Sequence, residues 1–138
     1  MSNFFRIIPT HLLINKLENF PKKSSDINLY SYKRAANEIL FRNINPSCLN
    51  TDICVTIFEL TEHQINDKNT QPFNYLFSAI LRNDYLYEEL WNYLREIIDK
   101  SDLFSEDEKN KTTGEIILNN KDNFIKAYLN NFDLKSKL

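Results

Sequence analysis

Apolar residues recur at helical spacing along most of the chain, most clearly in residues 72–100. Pro72 suits the first position of a helix, because its missing N–H would have no partner there. The apolar residues that follow at three- and four-residue intervals are Phe73, Leu76, Phe77, Ile80 and Leu81. After Asp84 a second stripe begins, formed by Leu86, Leu90, Tyr93, Leu94 and Ile97.

These two stripes predict two helices rather than one. On a straight helix the second stripe would lie more than about 120° round from the first. A single helix would also be roughly 40 Å long, which exceeds the expected width of a domain of this size. We therefore place a break at Asn83-Asp84 and expect Asp84 to cap the second helix. Trp91 widens the second stripe, so we expect its side chain to be buried.

The same periodicity predicts helices over four other parts of the chain. Their ranges are 10–20, 26–44, 105–118 and 122–132. Pro21 and Asn45-Pro46 end the first two, because proline and the residue before it avoid the helical interior. Ser105 and Glu108 have the spacing of a capping box at the start of the third.

Residues 51–62 fit two kinds of secondary structure. Ile53, Val55 and Ile57 alternate with other residues, as in a strand over 53–58. Ile53, Ile57 and Leu60 also have helical spacing, and a lone strand needs partners that only residues 4–8 and 115–118 offer. We therefore predict a helix and keep the short strand as the alternative.

Composition agrees with helices. The chain has 138 residues, of which 42% are hydrophobic and 26% charged, and it contains one Gly and four Pro. An all-β fold needs many tight turns, so this scarcity of turn-forming residues argues against one. We predict an all-α fold, a compact bundle of five to seven helices that forms a single domain over residues 1–138.

No segment predicts a membrane span or an exported protein. No apolar run approaches the roughly 20 residues that a bilayer requires. The N-terminus lacks the features of a signal peptide, so we expect a cytoplasmic protein. Cys48 and Cys54 are too few for a disulfide framework, and we expect two reduced thiols.

Motifs for chemistry are missing from the sequence. The single Gly, at position 114, excludes glycine-rich phosphate loops. The spacing of Cys48, Cys54 and His63 matches no common zinc site, and a Cys–His nucleophilic pair would lack an evident orienting group. We therefore expect no catalytic residue, no cofactor and no metal, and a small enzyme is the least favoured hypothesis.

Charge is distributed unevenly along the chain. Residues 1–50 carry a net charge of +4, residues 51–110 carry −8, and residues 111–138 carry +2. The acidic part coincides with the aromatic-rich pair of helices and with Tyr75, Tyr85 and Tyr87. Exposed aromatics beside carboxylates are typical of a surface that recognises a basic protein. The alternative is that the acids only keep the protein soluble and the tyrosines cover the edge of the core.

The leading hypothesis is a stoichiometric inhibitor that occludes a basic partner such as a toxin or nuclease. Its predicted partner-binding residues are Tyr85, Tyr87, Glu88, Glu89, Glu96, Asp99, Asp102, Glu106 and Asp107. In composition, though in no particular motif, the chain resembles the small acidic helical inhibitors that bacteria and phages make. That resemblance implies an immunity, antitoxin or anti-defence role and assigns no residue.

A nucleic-acid accessory protein is the second hypothesis. It would use the basic face of the helix over 26–44 and the residues just before it to contact phosphates. The residues concerned are Lys22, Lys23, Lys33, Arg34 and Arg42. The net charge of −2 argues against this hypothesis, because nucleic-acid binding depends on positive charge.

Overall fold

A computed structural model describes residues 7–20, 29–83 and 85–137, with side chains up to residue 131. This part of the chain forms α-helices and no strand, which confirms the all-α prediction. The helices are α1 (Thr10–Glu18), α2 (Leu29–Phe41), α3 (Thr51–Thr61), α4 (Pro72–Arg82), α5 (Glu88–Asp99), α6 (Glu106–Lys109), α7 (Thr113–Asn119) and α8 (Lys121–Lys137).

Helix α3 decides the ambiguous segment, and the strand at 53–58 is wrong. The side chain of Asn50 caps the helix by accepting a hydrogen bond from the N–H of Ile53 at 2.8 Å. Most of α3 is buried, including Val55 and Thr56 beside the predicted stripe. A helix that is buried on most of its sides has hydrophobic residues at most of its positions. Some of these residues necessarily alternate, and the alternation resembled a strand pattern.

The segment predicted as one helix over 105–118 contains two. Ser105 and Glu108 form the predicted capping box, but α6 ends after a single turn at Lys109. Thr112 then caps α7, with its hydroxyl accepting from the N–H of Glu115 at 3.2 Å. This division brings the number of described α-helices to eight, one more than the upper end of the predicted range.

The break between α4 and α5 is confirmed, but α5 starts later than predicted. It begins at Glu88, so Tyr87 occupies the N-cap position, with no side-chain cap. Asp84 is therefore not the cap, and its placement lies outside the described residues. Residues 85–87 are non-helical, and the side chain of Asn83 accepts a hydrogen bond from the N–H of Tyr85 at 3.2 Å.

Aromatic rings form the centre of the core. Helix α3 packs against α1, α2 and α4, while α8 packs against α5 and α7. The ring of Phe73 meets that of Tyr128 edge to face at 5.1 Å between centroids, and Phe58 and Phe124 adjoin this pair. Trp91 is only half-buried, so its prediction as a core residue is only partly fulfilled.

Two arginines tie distant parts of the backbone together. Arg42 at the end of α2 donates to the carboxylate of Glu38 at 2.9 Å, to the hydroxyl of Thr10 at 2.9 Å and to the carbonyl of Ile8 at 2.6 Å. Arg82 at the end of α4 donates to the carbonyl of Pro46 and to the sulfur of Cys54, each at 3.2 Å. These bonds fix the N-terminal helix and the loop before α3.

Candidate binding surface on helix α5 and the groove beside it

The exposed face of α5 carries four carboxylates, which we call the acidic ridge. They belong to Glu88, Glu89, Glu96 and Asp99, and all four side chains are exposed. At 100° per residue they fall within an arc of about 100°. The first and last lie roughly 16 Å apart along the helix, at 1.5 Å per residue. The structure therefore brings these four predicted residues together on one surface.

The two ends of the ridge differ in charge. At the C-terminal end, Lys100 pairs with Glu96 at 2.6 Å and Arg95 pairs with Asp99 at 3.2 Å. Glu88 at the N-terminal end forms no ion pair with any residue that the structure describes, and the same holds for Glu89. The two ridge carboxylates without a described ion pair are therefore those in the first turn of α5.

Helix α6 places further carboxylates beside the C-terminal end of α5. The ammonium of Lys109 donates to the carbonyl of Asp99 at 3.2 Å, which brings the two helices together. Asp102, Glu106 and Asp107 precede Lys109 and are exposed. Arg95 also donates to the carbonyl of Lys109, so two cations lie at this junction of α5 and α6 together with the acids.

The three tyrosines of the acidic region have different environments. Tyr75 is buried and donates to the carbonyl of Ile44 at 2.6 Å, so its interpretation as a surface residue is wrong. Tyr85 is 50% exposed, and its ring lies 5.8 Å from that of Trp91. Tyr87 is half-buried and donates its hydroxyl proton to the carboxylate of Glu59 on α3. Position along the helices predicts that these tyrosines lie near the edges of the apolar stripes. It does not predict which neighbouring residue each side chain contacts.

A groove of about 830 Å³ lies beside the first turn of α5. It is bounded by α2, α3 and the connection between α4 and α5. Its apolar lining includes Leu29, Val55, Leu60 and Leu86. Its charged lining includes the carboxylates of Asp52, Glu59 and Glu89 and the ammonium of Lys33. The groove and the acidic ridge share Glu89, so they form one continuous surface.

The groove could not be predicted from the sequence, because it forms only where three separate elements of the fold meet. One signal was available within α3, since Asp52 and Glu59 are seven residues apart and share a helical face. That signal depends on the segment being a helix. The contribution of Leu29 and Lys33 from α2 is a tertiary contact that no local pattern contains.

Of the basic residues of the second hypothesis, the three that the structure describes do not form one free surface. Arg42 is engaged with Glu38, Thr10 and Ile8. Arg34 donates to the hydroxyl of Tyr30 at 3.2 Å, and Lys33 lines the groove. Lys22 and Lys23 lie outside the described residues.

Cys54, Cys48 and His63 do not form a metal site. Cys54 is buried, and burial raises the pKa of its thiol despite the opposing charge of Arg82. Cys48 and His63 are exposed. Within the described ranges no three His, Cys, Asp or Glu side chains are grouped to hold a metal ion. None of the described helices has the length and apolar character needed to cross a bilayer.

Comparison with protein-family models, curated proteins and solved structures finds no match to this chain. The fold belongs to the all-α class.

Proposed function

We propose that the protein is a stoichiometric inhibitor of the immunity, antitoxin or anti-defence type, made by a bacterium or a phage. The observation that carries this proposal is the N-terminal end of the acidic ridge. There Glu88 and Glu89 are exposed without a described ion pair, beside an apolar groove with an acidic rim. Charged residues around an apolar centre are the usual composition of a protein-binding surface.

Inhibition would occur by occlusion. The ridge attracts a basic surface during diffusional encounter, because its exposed carboxylates produce a negative field that extends about 8–10 Å at moderate ionic strength. The apolar groove then supplies the contact area that slows dissociation. A toxin or nuclease whose cationic active site lies against the ridge is blocked without any chemistry by the inhibitor.

The nucleic-acid hypothesis has less support. One of its two arginines, Arg42, is held by a carboxylate, a hydroxyl and a carbonyl of the same chain. The guanidinium of Arg42 would have to break these hydrogen bonds before it could contact a phosphate. Binding to a DNA duplex and to a single-stranded RNA, measured at low salt, tests this hypothesis against the inhibitor proposal. Only the nucleic-acid hypothesis predicts that either will bind.

The experiment begins with capture of the partner from the native host, followed by its identification by mass spectrometry. Titration should then abolish the partner's activity at a one-to-one ratio. Stopped-flow measurement should show an association rate that falls as salt rises, because the attraction is screened.

A charge-reversal variant tests the ridge itself. Glu88→Lys, Glu89→Lys and Asp99→Lys together should lower the association rate by about tenfold or more at low salt. Glu18→Lys, Asp67→Lys and Asp122→Lys change the net charge equally at other exposed positions, and we expect a smaller effect. Equal effects of the two triple variants, or a ridge variant that associates as fast as wild type, would contradict the proposal.

A further inference from the structure

We propose that the groove beside α5 receives an amphipathic helix of the partner, with an apolar stripe on the groove floor and lysine or arginine side chains on the rim. This inference rests on the proposed function, and it specifies which part of the partner is recognised. It does not require that the partner be a toxin. The argument follows from the size of the groove, its charge and the secondary structure around it.

The groove is large enough to bind several side chains. Its volume of about 830 Å³ lies in the range of about 300–1,000 Å³ typical of binding pockets. Val55 and Leu60 line the groove from α3, where each is only 3% exposed, and Leu29 of α2 adds a half-buried side chain. Leu86 adds a half-buried side chain from the connection before α5. An apolar stripe with residues three and four apart matches a floor built in this way.

The carboxylates that line the groove favour a positively charged occupant. Asp52 and Glu59 contribute carboxylates from α3, Glu89 contributes one from α5, and Lys33 contributes the ammonium among the charged lining residues. Among the lining residues that the structure describes, the net charge is therefore −2. Tyr87 donates a hydrogen bond to Glu59 and thereby holds that carboxylate in place. A charged group that is held in position binds an oppositely charged ligand with less loss of conformational entropy.

Secondary structure favours a helical occupant over an extended one. One common way to bind an extended peptide is to add it as a strand to an exposed sheet edge. The described part of the chain contains no sheet, so it offers no such edge. A groove between helices suits a helical occupant, because a helix presents its side chains while its own backbone hydrogen bonds remain intact.

The test uses a displayed library of random 16-residue peptides selected against the full-length protein. We expect the selected peptides to be enriched in Lys and Arg placed beside apolar residues at helical spacing. The strongest binder is then synthesised, and its affinity and circular dichroism are measured with and without protein. Amide chemical-shift changes on binding should concentrate at Val55, Leu60 and Leu86.

Two groove variants and two matched controls determine the binding site. Asp52→Asn with Glu59→Gln should weaken the peptide by about tenfold, the loss expected for two partly exposed ion pairs. Leu86→Lys should weaken it at least as much, because it places a cation on the floor. Glu18→Gln with Asp67→Asn, and Leu12→Lys, make the same chemical changes at exposed positions outside the groove. We expect these controls to bind like wild type.

Several outcomes would overturn the inference. These are the absence of selected peptides, a selection without basic residues, or peptides whose affinity the groove variants leave unchanged. A peptide that binds in extended form would contradict the helical part. Binding of the full partner that depends on the ridge but not on the groove variants would leave the proposed function standing while this inference fails. If the selected peptide binds in the groove but the ridge variant does not slow association of the partner, this inference stands and the proposed function fails.

Discussion

The hydroxyl of Tyr128 on α8 donates a hydrogen bond to the carboxylate of Glu62, which lies 66 residues earlier in the chain. The same carboxylate oxygen accepts a second hydrogen bond from the hydroxyl of Tyr93 on α5, at 3.2 Å. Glu62 begins the 3₁₀ turn that follows α3. One carboxylate therefore joins three helical segments, and two of them come from the C-terminal half of the chain.

Removing the hydroxyl of Tyr128 should destabilise the fold. Tyr128→Phe keeps the ring in the core but leaves Glu62 with one fewer hydrogen bond, so we expect a loss of about 1–2 kcal/mol. Tyr93→Phe should cost less, because its side chain is less buried than that of Tyr128. Urea unfolding measures both, with Tyr85→Phe as the exposed control. Equal stability of Tyr128→Phe and Tyr85→Phe would show that this link contributes nothing.

Alkaline pH should weaken the fold through its tyrosines. Burial raises the pKa of Tyr75 to about 12, and burial followed by the charge of Glu62 raises the pKa of Tyr93 to about 12. An unfolded tyrosine has a pKa of about 10, so the native state holds its protons to higher pH. The stabilisation is complete below about pH 10 and is lost as pH rises towards 12.

Unfolding free energy measured between these pH values checks the expectation. The decline should be shallower in Tyr75→Phe with Tyr93→Phe than in wild type, because the variant lacks two of the groups that lose protons on unfolding. A wild-type stability that is constant over this range would contradict the assigned burial of these side chains.

Arg42 should be a structural residue. Its partner Glu38 is 7% exposed, so Arg42→Met would leave a nearly buried carboxylate without its cation. We expect a loss of about 2–4 kcal/mol, and a smaller loss for Arg42→Lys, which keeps the charge but not the planar fork. Thermal unfolding provides the measurement. Lys100→Met breaks an exposed pair and should cost less than about 1 kcal/mol. Similar values for Arg42→Met and Lys100→Met would refute a special role for Arg42.

Gly114 tests the packing of α7 against Trp91. A methyl group there would lie 3.4 Å from Ile80 and 3.7 Å from the indole ring, both ordinary contact distances. Gly114→Ala should therefore stabilise the protein by less than about 1 kcal/mol, since alanine favours a helix but position 114 lies in the first turn of α7. The fluorescence of Trp91 should change little. Gly114→Val adds two methyl groups and should both displace the indole and lower stability. A destabilising Gly114→Ala would mean that this contact is tighter than described.

Local patterns predicted the class of the fold and most of its helices. Pro72, the 83–84 break and the capping box at Ser105 each depend on a few neighbouring residues, and each is confirmed. Helix starts were less accurate. A polar residue such as Asp84 has the chemistry of a cap, but the packing of residues 85–87 delays the start of α5 to Glu88. Tertiary contacts determine that shift, and they are not encoded in short-range spacing.

The candidate surface was predictable in part. A helical wheel is sufficient to place Glu88, Glu89, Glu96 and Asp99 on one face. It does not reveal that Tyr75 points into the core towards Ile44. The groove was beyond such reasoning, because Leu29 and Glu89 are distant in sequence and meet only after the helices pack.

The burial of Cys54 beside Arg82 makes it possible to measure local opening of the native protein by thiol labelling. Cys48, six positions earlier, is exposed and should react with an alkylating reagent at once. Cys54 is buried and its sulfur accepts a hydrogen bond from Arg82 at the end of α4, so we expect it to react only when this region opens. The ratio of the two labelling rates therefore reports the free energy of that local opening in the untouched native protein.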